Sequence, residues 1–379
     1  MLVALMRSMV VGSLLLGLAR VAAAQAPDSS GAPAADSLPA YKRKLIVLPF
    51  ITYSPETAWQ FGAGGGLQYK WPGAERDPGT RPSFFFGAGT YTTKGQWTAS
   101  VGTSLLTPAN RWWLDARLAG AYYPLVYYGV GPEALRADSN RMDNRLIRAE
   151  VKVLRRVARN LFVGPYYRLH SYFDIDWQDP AAISPGLRGG DGGVSSGLGV
   201  SLSLDARNSI TTPTRGHLIL VDLLQNAGVL GSDFDYGYLL VDARYYLPVR
   251  RGRDVVALNL YGEFNGAEVP IQAMSMLSNA TTQELMRGIY YGRYRDRHEV
   301  VAQADYRGHL KGRFGYVLFG AAGNVFGSPG SRLTDNLKLT YGAGLRFNVN
   351  PADPLNLRVD FTLSNFGESG VTFGATEAF

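Results

Sequence analysis

Apolar and polar side chains alternate one by one in many segments of this chain. The clearest segment is 356–364, whose odd positions carry Leu357, Val359, Phe361 and Leu363. The even positions of the same segment carry Asn356, Arg358, Asp360, Thr362 and Ser364. Successive side chains of a β-strand point to opposite faces, so this pattern predicts a strand with one apolar face and one charged face. The alternation recurs at 147–153, 200–205, 256–261, 300–307 and 337–349.

Strands of this kind account for most of the chain beyond residue 44. We predict sixteen of them, at 45–53, 58–71, 82–92, 95–106, 111–123, 143–156, 160–176, 194–207, 215–227, 233–248, 254–265, 297–310, 313–326, 337–349, 355–365 and 370–379. Alternation alone fits a soluble β-sandwich as well as a barrel in a membrane, because each gives a strand one apolar face.

The lengths of the connections favour a barrel. Long connections fall on one side of the sheet, at 124–142, 177–193, 266–296 and 327–336. Short connections fall on the other, at 107–110, 157–159, 249–253, 311–312 and 350–354, with 72–81 as an exception. Long outer loops and short periplasmic turns are typical of outer-membrane barrels. We therefore predict an all-β fold, a transmembrane sixteen-stranded antiparallel β-barrel in the outer membrane of a Gram-negative bacterium.

The connection between the eleventh and twelfth predicted strands is unusually charged. Residues 286–297 hold four arginines and one aspartate among three tyrosines. Burying unpaired charge costs several kcal/mol per ion, so this segment requires acidic partners and water. A polar lumen supplies both, and we predict that the loop folds inward; the alternative is a solvated outer loop. The loop motif consists of Arg287, Gly288, Ile289, Gly292, Arg293, Arg295 and Asp296.

The N-terminus has the pattern of a secretory signal. Arg7 precedes an apolar run from Met9 to Ala24, which ends in small residues suited to signal peptidase. We predict a signal peptide at 1–24, with cleavage after Ala26 as the alternative, a flexible lead at 25–44 and the barrel at 45–379. Fewer than twenty-five residues separate the cleavage site from Leu45, so we expect no further folded module between them.

The amino-acid composition excludes several kinds of chemistry and several classes of partner. The chain has no cysteine, which excludes disulfides and thiolate chemistry. Its net charge is +7, and the basic residues are spread singly along the sequence, so we interpret them as paired lumen or loop charges and expect no nucleic-acid partner. His170, His217, His298 and His309 lack metal-ligand spacing, and we predict no metal and no cofactor.

A serine motif suggests hydrolysis but lacks its context. Residues 193–197 match the G-x-S-x-G pattern of a nucleophile elbow around Ser195. That elbow requires a strand followed by a helix, whereas here a glycine-rich loop leads into a strand. We therefore predict that the protein is not an enzyme.

Several segments together resemble the BamA/TamA superfamily of outer-membrane barrels, also called the bacterial surface antigen family. Residues 49–57 are similar to its barrel-opening motif, and 205–208 with 213–216 are similar to its mid-barrel strand-turn-strand motif. The latter includes Pro213, Arg215 and Gly216. Arg287-Gly288-Ile289 occupies the place of the family's Arg-Gly-aromatic loop motif, and 319–323 and 357–361 follow in the family's order. The resemblance spans roughly 45–379.

The resemblance implies insertion or translocation of proteins or lipids at the outer membrane. Its implied partners are outer-membrane lipids and lipopolysaccharide, and the barrel-assembly machinery during biogenesis. Members of the family that assemble or secrete proteins carry periplasmic docking modules before the barrel, and we expect none here; a third possibility is that a separate periplasmic protein supplies the docking function. A seam between the first strand (45–53) and the last (370–379) would let a client enter sideways. The alternative is a passive pore or a structural surface barrel, whose lumen charges line a water path.

This sequence departs from the family at the partner of the loop arginine. The family commonly holds that arginine with an aspartate on the thirteenth strand, but Ala321 stands at the position here. We expect Arg287 or Arg293 to pair instead with Asp305 or Asp360, whose alternation turns them into the lumen. Asp205 and Arg207 are further candidate lumen residues. The last strand, with Phe373 and Phe379, resembles the signal read by barrel-assembly machinery, although Glu377 shares their face.

Overall fold

The computed structural model describes residues 40–379, apart from 55–57, 123, 136–138, 185, 210–211, 279–284, 291, 349–355 and 376. The predicted signal peptide and most of the predicted lead lie outside the described residues. Within the described residues, three short 3₁₀ helices lie between the strands, at Pro108–Asn110, Pro180–Ala182 and Gly228–Leu230. In the part of the chain that is described, no helix is long and apolar enough to cross a bilayer.

The strands are long and follow one another closely. They are β1 (Lys44–Ser54), β2 (Ala58–Tyr69), β3 (Ser83–Thr92), β4 (Trp97–Leu106), β5 (Trp112–Tyr122), β6 (Leu125–Tyr127), β7 (Asn140–Ala158), β8 (Leu161–Trp177), β9 (Gly193–Asp205), β10 (Gly216–Asn226), β11 (Tyr236–Val249), β12 (Asp254–Asn265), β13 (Ser275–Met276), β14 (Arg295–Asp296), β15 (His298–His309), β16 (Phe314–Phe326), β17 (Lys338–Asn348), β18 (Asn356–Ser364) and β19 (Ser369–Ala375). Among the strands described, β13 and β14 stand apart from the main sheet as a small pair of their own.

Seventeen strands form one antiparallel sheet in which neighbours in sequence are neighbours in space. Each of the sixteen predicted strands overlaps one long strand of this sheet. The seventeenth is β6, which pairs with β7 beyond the end of β5. Pro124 separates β5 from β6, because proline has no N–H to give to the ladder. The described pairings run from β1 to β19 without joining these two strands, so closure of the barrel stays a prediction.

Burial in this sheet is inverted relative to a soluble protein. On β18 the side chains of Leu357, Val359 and Phe361 are 46%, 41% and 48% exposed, whereas Arg358 and Asp360 are 3% and 0% exposed. Soluble proteins rarely bury charged side chains and do not expose rows of large apolar ones. An outer face in hydrocarbon and an enclosed polar face account for the inversion.

Residues 266–297 connect β12 to β15, and the described part of this connection packs on the polar face of the sheet. We call it the inner loop. Its apolar side chains join a buried cluster with side chains from the strands around it. The loop members of this cluster are Leu277, Leu285, Met286, Ile289 and Tyr294, and the strand members include Tyr238, Tyr261, Val301, Ala321 and Val325. The inner loop therefore lies on the face that carries the buried charges, opposite the exposed leucines.

The end of the chain corrects one prediction. The last strand was expected to reach residue 379, but β19 ends at Ala375. Phe379 is buried beyond it on the interior face, with its ring centroid 6.3 Å from that of Tyr246. Arg307 Nη2 donates to the carbonyl oxygen of Phe379 at 2.9 Å. The prediction that Phe379 lies on the terminal strand is thus wrong.

Glu377 gives the physical reason for the early end of β19. Ala375 pairs with the outward-facing Leu357, so a continued strand would turn Glu377 toward the same apolar side. A carboxylate in hydrocarbon is costly. The chain turns inward instead, where Glu377 accepts hydrogen bonds from Arg346 Nε at 2.9 Å and Asn356 Nδ2 at 2.7 Å.

Candidate functional site

Arg287 ties the inner loop to three strands. Its side chain is fully buried; Nη1 donates to Asp360 Oδ2 at 2.6 Å and Nη2 donates to Asp305 Oδ1 at 2.8 Å. The guanidinium carbon lies 3.7 Å from the centre of the Phe319 ring. A planar guanidinium presents a fork of N–H donors and two faces, so it can bridge two carboxylates and stack on a ring at once. Arg287 thereby joins the loop to β15, β16 and β18.

The two carboxylates that hold Arg287 also serve other donors. Asp360 accepts from Arg346 Nη1 at 2.5 Å and from Arg358 Nη1 at 3.0 Å. Asp305 accepts from Gln303 Nε2 at 2.6 Å and lies 3.5 Å from Arg307 Nη2. Buried charges on this scale persist only as a network, since each unpaired member would carry a large desolvation cost. We call these residues, with Arg287 and Glu377, the lumen charge network.

Two glycines of β17 make room for this arrangement. Gly342 pairs with Phe319 on β16, and Gly344 pairs with Asp360 on β18. A Cβ atom at Gly342 would lie 2.6 Å from the Phe319 ring, and one at Gly344 would lie 1.9 Å from Asp360 Oδ1. Any side chain at these positions would displace the ring or the carboxylate that hold Arg287.

The residues next to Arg287 let the loop approach the wall closely. Gly288 has φ +85°, a conformation that side chains disfavour, and a Cβ there would lie 3.1 Å from Thr362 of β18. Ile289 is buried in the apolar cluster, and its carbonyl accepts from Ser278 Oγ at 3.0 Å. The Arg-Gly-Ile sequence thus combines an ionic anchor, a close approach and an apolar contact.

The second half of the motif holds the outer part of the loop. Arg293 forms an ion pair with Glu368 in the turn between β18 and β19. Gly292 has φ +68°, and its carbonyl lies 3.5 Å from Arg295 Nη2. Arg295 is buried, and its Nη1 donates to the carbonyl of Ile271 at 3.2 Å. Arg293 was an alternative anchor in the sequence prediction, but its ion pair is with Glu368 instead of Asp305 or Asp360.

Hydrogen bonds join several connections at the end of the sheet where the long loops lie. Asp296 accepts from Ser328 Oγ at 2.8 Å and from Ser331 Oγ at 3.0 Å. The amide of Gly131 donates to the carbonyl of Arg295 at 2.8 Å, and Lys338 Nζ donates to the carbonyl of Pro132 at 2.7 Å. The connections after β6 and β16 are therefore fastened to the inner loop.

Asp205 and Arg207 are not brought to the loop arginine. Asp205 accepts from Arg207 Nε at 3.0 Å, and Arg81 Nη2 donates to the carbonyl of Asp205 at 3.1 Å. Within the described residues their hydrogen bonds fasten the connection between β2 and β3 to the end of β9. Their proposed role as partners of the inner loop is therefore not supported by these contacts.

The strand-turn motif forms a tight connection between β9 and β10. Asn208 Oδ1 accepts from the amides of Thr214 and Arg215 at 3.0 and 3.1 Å. Gly216 has φ +101°, and a Cβ there would lie 2.2 Å from the carbonyl oxygen of Ala206. Pro213 is buried and Arg215 is exposed. Glycine is required at 216 by its backbone conformation and by this close approach.

Ser195 lies inside a strand and not at a strand-to-helix turn. It is buried on β9 opposite His170 of β8. His170 Nε2 is instead 3.3 Å from Glu150 Oε1. The exposed serine of a nucleophile elbow is not formed.

Comparison with known proteins identifies relatives of this fold. Residues 166–379 match the family model of the Omp85 superfamily domain. BamA from Haemophilus ducreyi, in a structure lacking POTRA domains 1–3, is similar with a TM-score of 0.56 and 12% identity over 88% of this chain and 70% of that one. CdiB from Acinetobacter baumannii is similar with a TM-score of 0.55 and 12% identity, over 86% of this chain and 56% of that one.

CdiB from Escherichia coli gives the same TM-score of 0.55 and 12% identity, over 86% of this chain and 60% of that one. The chain thus spans little more than half the length of either CdiB structure. No curated protein matches the chain in sequence.

Proposed function

This chain belongs to the Omp85 superfamily, whose domain matches more than half of its length, and from that premise we propose that it inserts or translocates proteins or lipids at the outer membrane. The proposed architecture is a closed sixteen-stranded barrel with the inner loop inside it. The sheet, its inverted burial and its likeness to the BamA and CdiB barrels support this architecture.

The observation that carries the proposal is the buried anchor of the inner loop. A passive pore has no need of a loop fixed across its lumen by Arg287, Asp305 and Asp360. A barrel that must keep its shape while a client strand enters at the seam does need one, because the loop braces β15, β16 and β18 next to the last strand. The seam lies between β1 and β19, the strands at the two ends of the series of pairings.

The second candidate function is a water-filled pore, and one observation favours it. Asp115 and Arg117 lie on the interior face of β5, opposite the exposed Leu118, and the Arg117 side chain is 61% exposed. Solvent therefore reaches part of the interior that the inner loop does not fill. In this alternative the same charges line a path for ions.

Opening of the seam can be tested by crosslinking, since the chain has no native cysteine. In a Thr52→Cys/Thr372→Cys double variant, oxidation should join β1 to β19 and stop assisted folding of a small client barrel into proteoliposomes. Reduction should restore assistance, because the lateral opening is the route of entry. The single Thr52→Cys variant is the control and should be insensitive to oxidant. Unimpaired assistance by the crosslinked protein, or failure of the pair to crosslink at all, would contradict the proposal.

The proposed partners follow from the proposed place in the membrane. Outer-membrane lipids and lipopolysaccharide would surround the apolar face, and the barrel-assembly machinery would insert the chain. A separate periplasmic protein would bring clients to the seam.

A further inference from the structure

The fold gathers basic residues that are scattered along the sequence. The connections between β2 and β3, β4 and β5, β7 and β8, β9 and β10, β11 and β12, and β15 and β16 all lie at one end of the antiparallel sheet, together with the start of β1. Exposed lysines and arginines of this end are Lys42, Arg43, Lys44, Arg76, Arg111, Arg155, Arg156, Arg159, Arg215, Arg250, Arg251, Arg253, Lys311 and Arg313. We call them the basic collar.

Acidic side chains do not balance the collar at its surface. In the described parts of these connections, no aspartate or glutamate is exposed. Asp254 and Asp205 are buried at this end, and Glu75 and Asp77 are half-buried. The collar is thus a belt of one sign of charge, which the modest net charge of +7 conceals.

The opposite end has a different character. Among the described residues of this end, the exposed acidic ones are Glu133, Asp174, Asp176, Asp179, Asp191, Asp233, Asp235 and Glu268. The exposed basic ones among them are Lys94, Arg141, Arg145, Arg188 and Arg332. Several of these are paired with each other, as Arg145 is with Asp174 at 2.8 Å. The charge asymmetry therefore belongs to the collar end, where it points to an anionic partner.

The position of the collar indicates what kind of anion. The lysines and arginines occur on successive connections along nearly the whole width of the sheet. A single docked protein would instead bind to one compact patch. Large apolar side chains that face outward lie beside them. Val157 is 58% exposed between Arg156 and Arg159, and Phe314 is 55% exposed beside Arg313. Apolar side chains next to lysine and arginine are typical of the boundary between hydrocarbon and headgroups.

One aromatic contact supports the same assignment. Trp112 is 45% exposed at the collar end of β5, and the Arg155 guanidinium lies 5.7 Å from its ring centre. Tryptophan is enriched where a membrane meets water, and arginine binds phosphate with two parallel N–H donors. This pair places an arginine, a side chain suited to binding phosphate, beside a tryptophan of the kind found at membrane interfaces.

We propose that the basic collar binds the phosphates of anionic phospholipids in the leaflet facing the short connections, and so fixes the depth of the protein in the membrane. The proposal rests on the membrane placement given under the proposed function, but not on client insertion. Anionic lipid attracts each lysine or arginine near the membrane surface, and added salt screens that attraction.

Two variants with equal loss of charge test the collar. The collar variant replaces Arg155, Arg156, Arg159, Arg251 and Arg253 with glutamine. The control variant replaces Lys94, Arg141, Arg145, Arg188 and Arg332 at the opposite end. Arg250 is kept in both, because it pairs with the buried Asp254 at 2.9 Å. Each protein is reconstituted in vesicles of phosphatidylglycerol and phosphatidylcholine, extracted gently, and its retained lipids are counted by native mass spectrometry.

Wild type and the control variant should retain phosphatidylglycerol in excess over phosphatidylcholine, and the collar variant should lose about half of that excess or more. Equal retention by the collar and control variants would overturn the proposal.

Full displacement of the lipid by soluble glycerol phosphate would also overturn it, because the collar would then bind free phosphate as well as lipid. Normal lipid retention with lost binding of a polyglutamate probe would assign the collar to an acidic protein instead. Client insertion is read separately in the crosslinking assay, so the two proposals can fail independently.

Discussion

Replacing Asp360 with alanine is expected to lower the free energy of unfolding by about 3–5 kcal/mol, the range for removing one partner from a buried ion pair. Asp360 is fully buried and accepts hydrogen bonds from Arg287, Arg346 and Arg358. Its loss leaves three buried guanidinium groups short of a carboxylate. Urea unfolding in phospholipid vesicles, followed by tryptophan fluorescence, measures the change.

The control for this variant is Asp174→Ala. Asp174 pairs with Arg145, and the two side chains are 59% and 52% exposed, so its removal should cost no more than about 1 kcal/mol. A double variant of Arg287→Ala and Asp360→Ala should be less destabilised than the sum of the two single variants, since the two residues share one interaction. Equal effects at Asp360 and Asp174 would show that the lumen charge network does not stabilise the fold.

Replacing the inner loop with a short glycine-serine linker from residue 268 to residue 295 is expected to turn a poorly conducting protein into an open pore. The loop fills part of the interior with buried side chains of its own, including Leu277, Met286 and Tyr294. Its removal leaves a polar wall and no obstruction. Conductance across planar bilayers measures the change, and the wild type should show no comparable steady current.

A second loop replacement separates blockage of the lumen from general damage to the barrel. Replacing residues 228–232, in the connection between β10 and β11, shortens another loop at the same end of the sheet without removing Arg287 or its apolar neighbours. That variant should conduct far less than the inner-loop variant. If the wild type conducts as well as the protein without its inner loop, the passive pore becomes the better function.

The strands could be predicted from sequence because alternation is a local property. Residues 356–364 alternate strictly, and β18 covers 356–364 with its apolar positions exposed and its charged ones buried. Parity of position fixes the face of each side chain. The alternation therefore predicted that Asp305 and Asp360 lie on the interior face, where Arg287 is found.

Parity could not select which interior residues meet. Asp205 and Asp360 have the same pattern in sequence, but only Asp360 reaches Arg287, because the distance across the interior depends on how the loop folds. A finer signal was available in β17. Gly342 and Gly344 both lie on the interior face of β17, and their lack of side chains leaves space for Phe319 and Asp360.

The basic collar was missed for a related reason. Arg111, Arg156, Arg251 and Arg313 are far apart in sequence, and each was interpreted singly as a paired lumen or loop charge. Only the regular antiparallel order of strands brings their connections to one end. Sorting charges by alternate connections, instead of by neighbourhood in sequence, would have revealed the collar.

The central claim is that the apolar side chains face hydrocarbon while the polar ones enclose a wet interior. Spin labels on single cysteines at paired positions of β4 and β5 test it most directly, because Ser100 pairs with Ala119 and Val101 pairs with Leu118. In bilayers, labels at Val101 and Leu118 should be relaxed by oxygen, and labels at Ser100 and Ala119 by a water-soluble nickel complex. The reverse order, or equal accessibility at all four positions, would contradict the account.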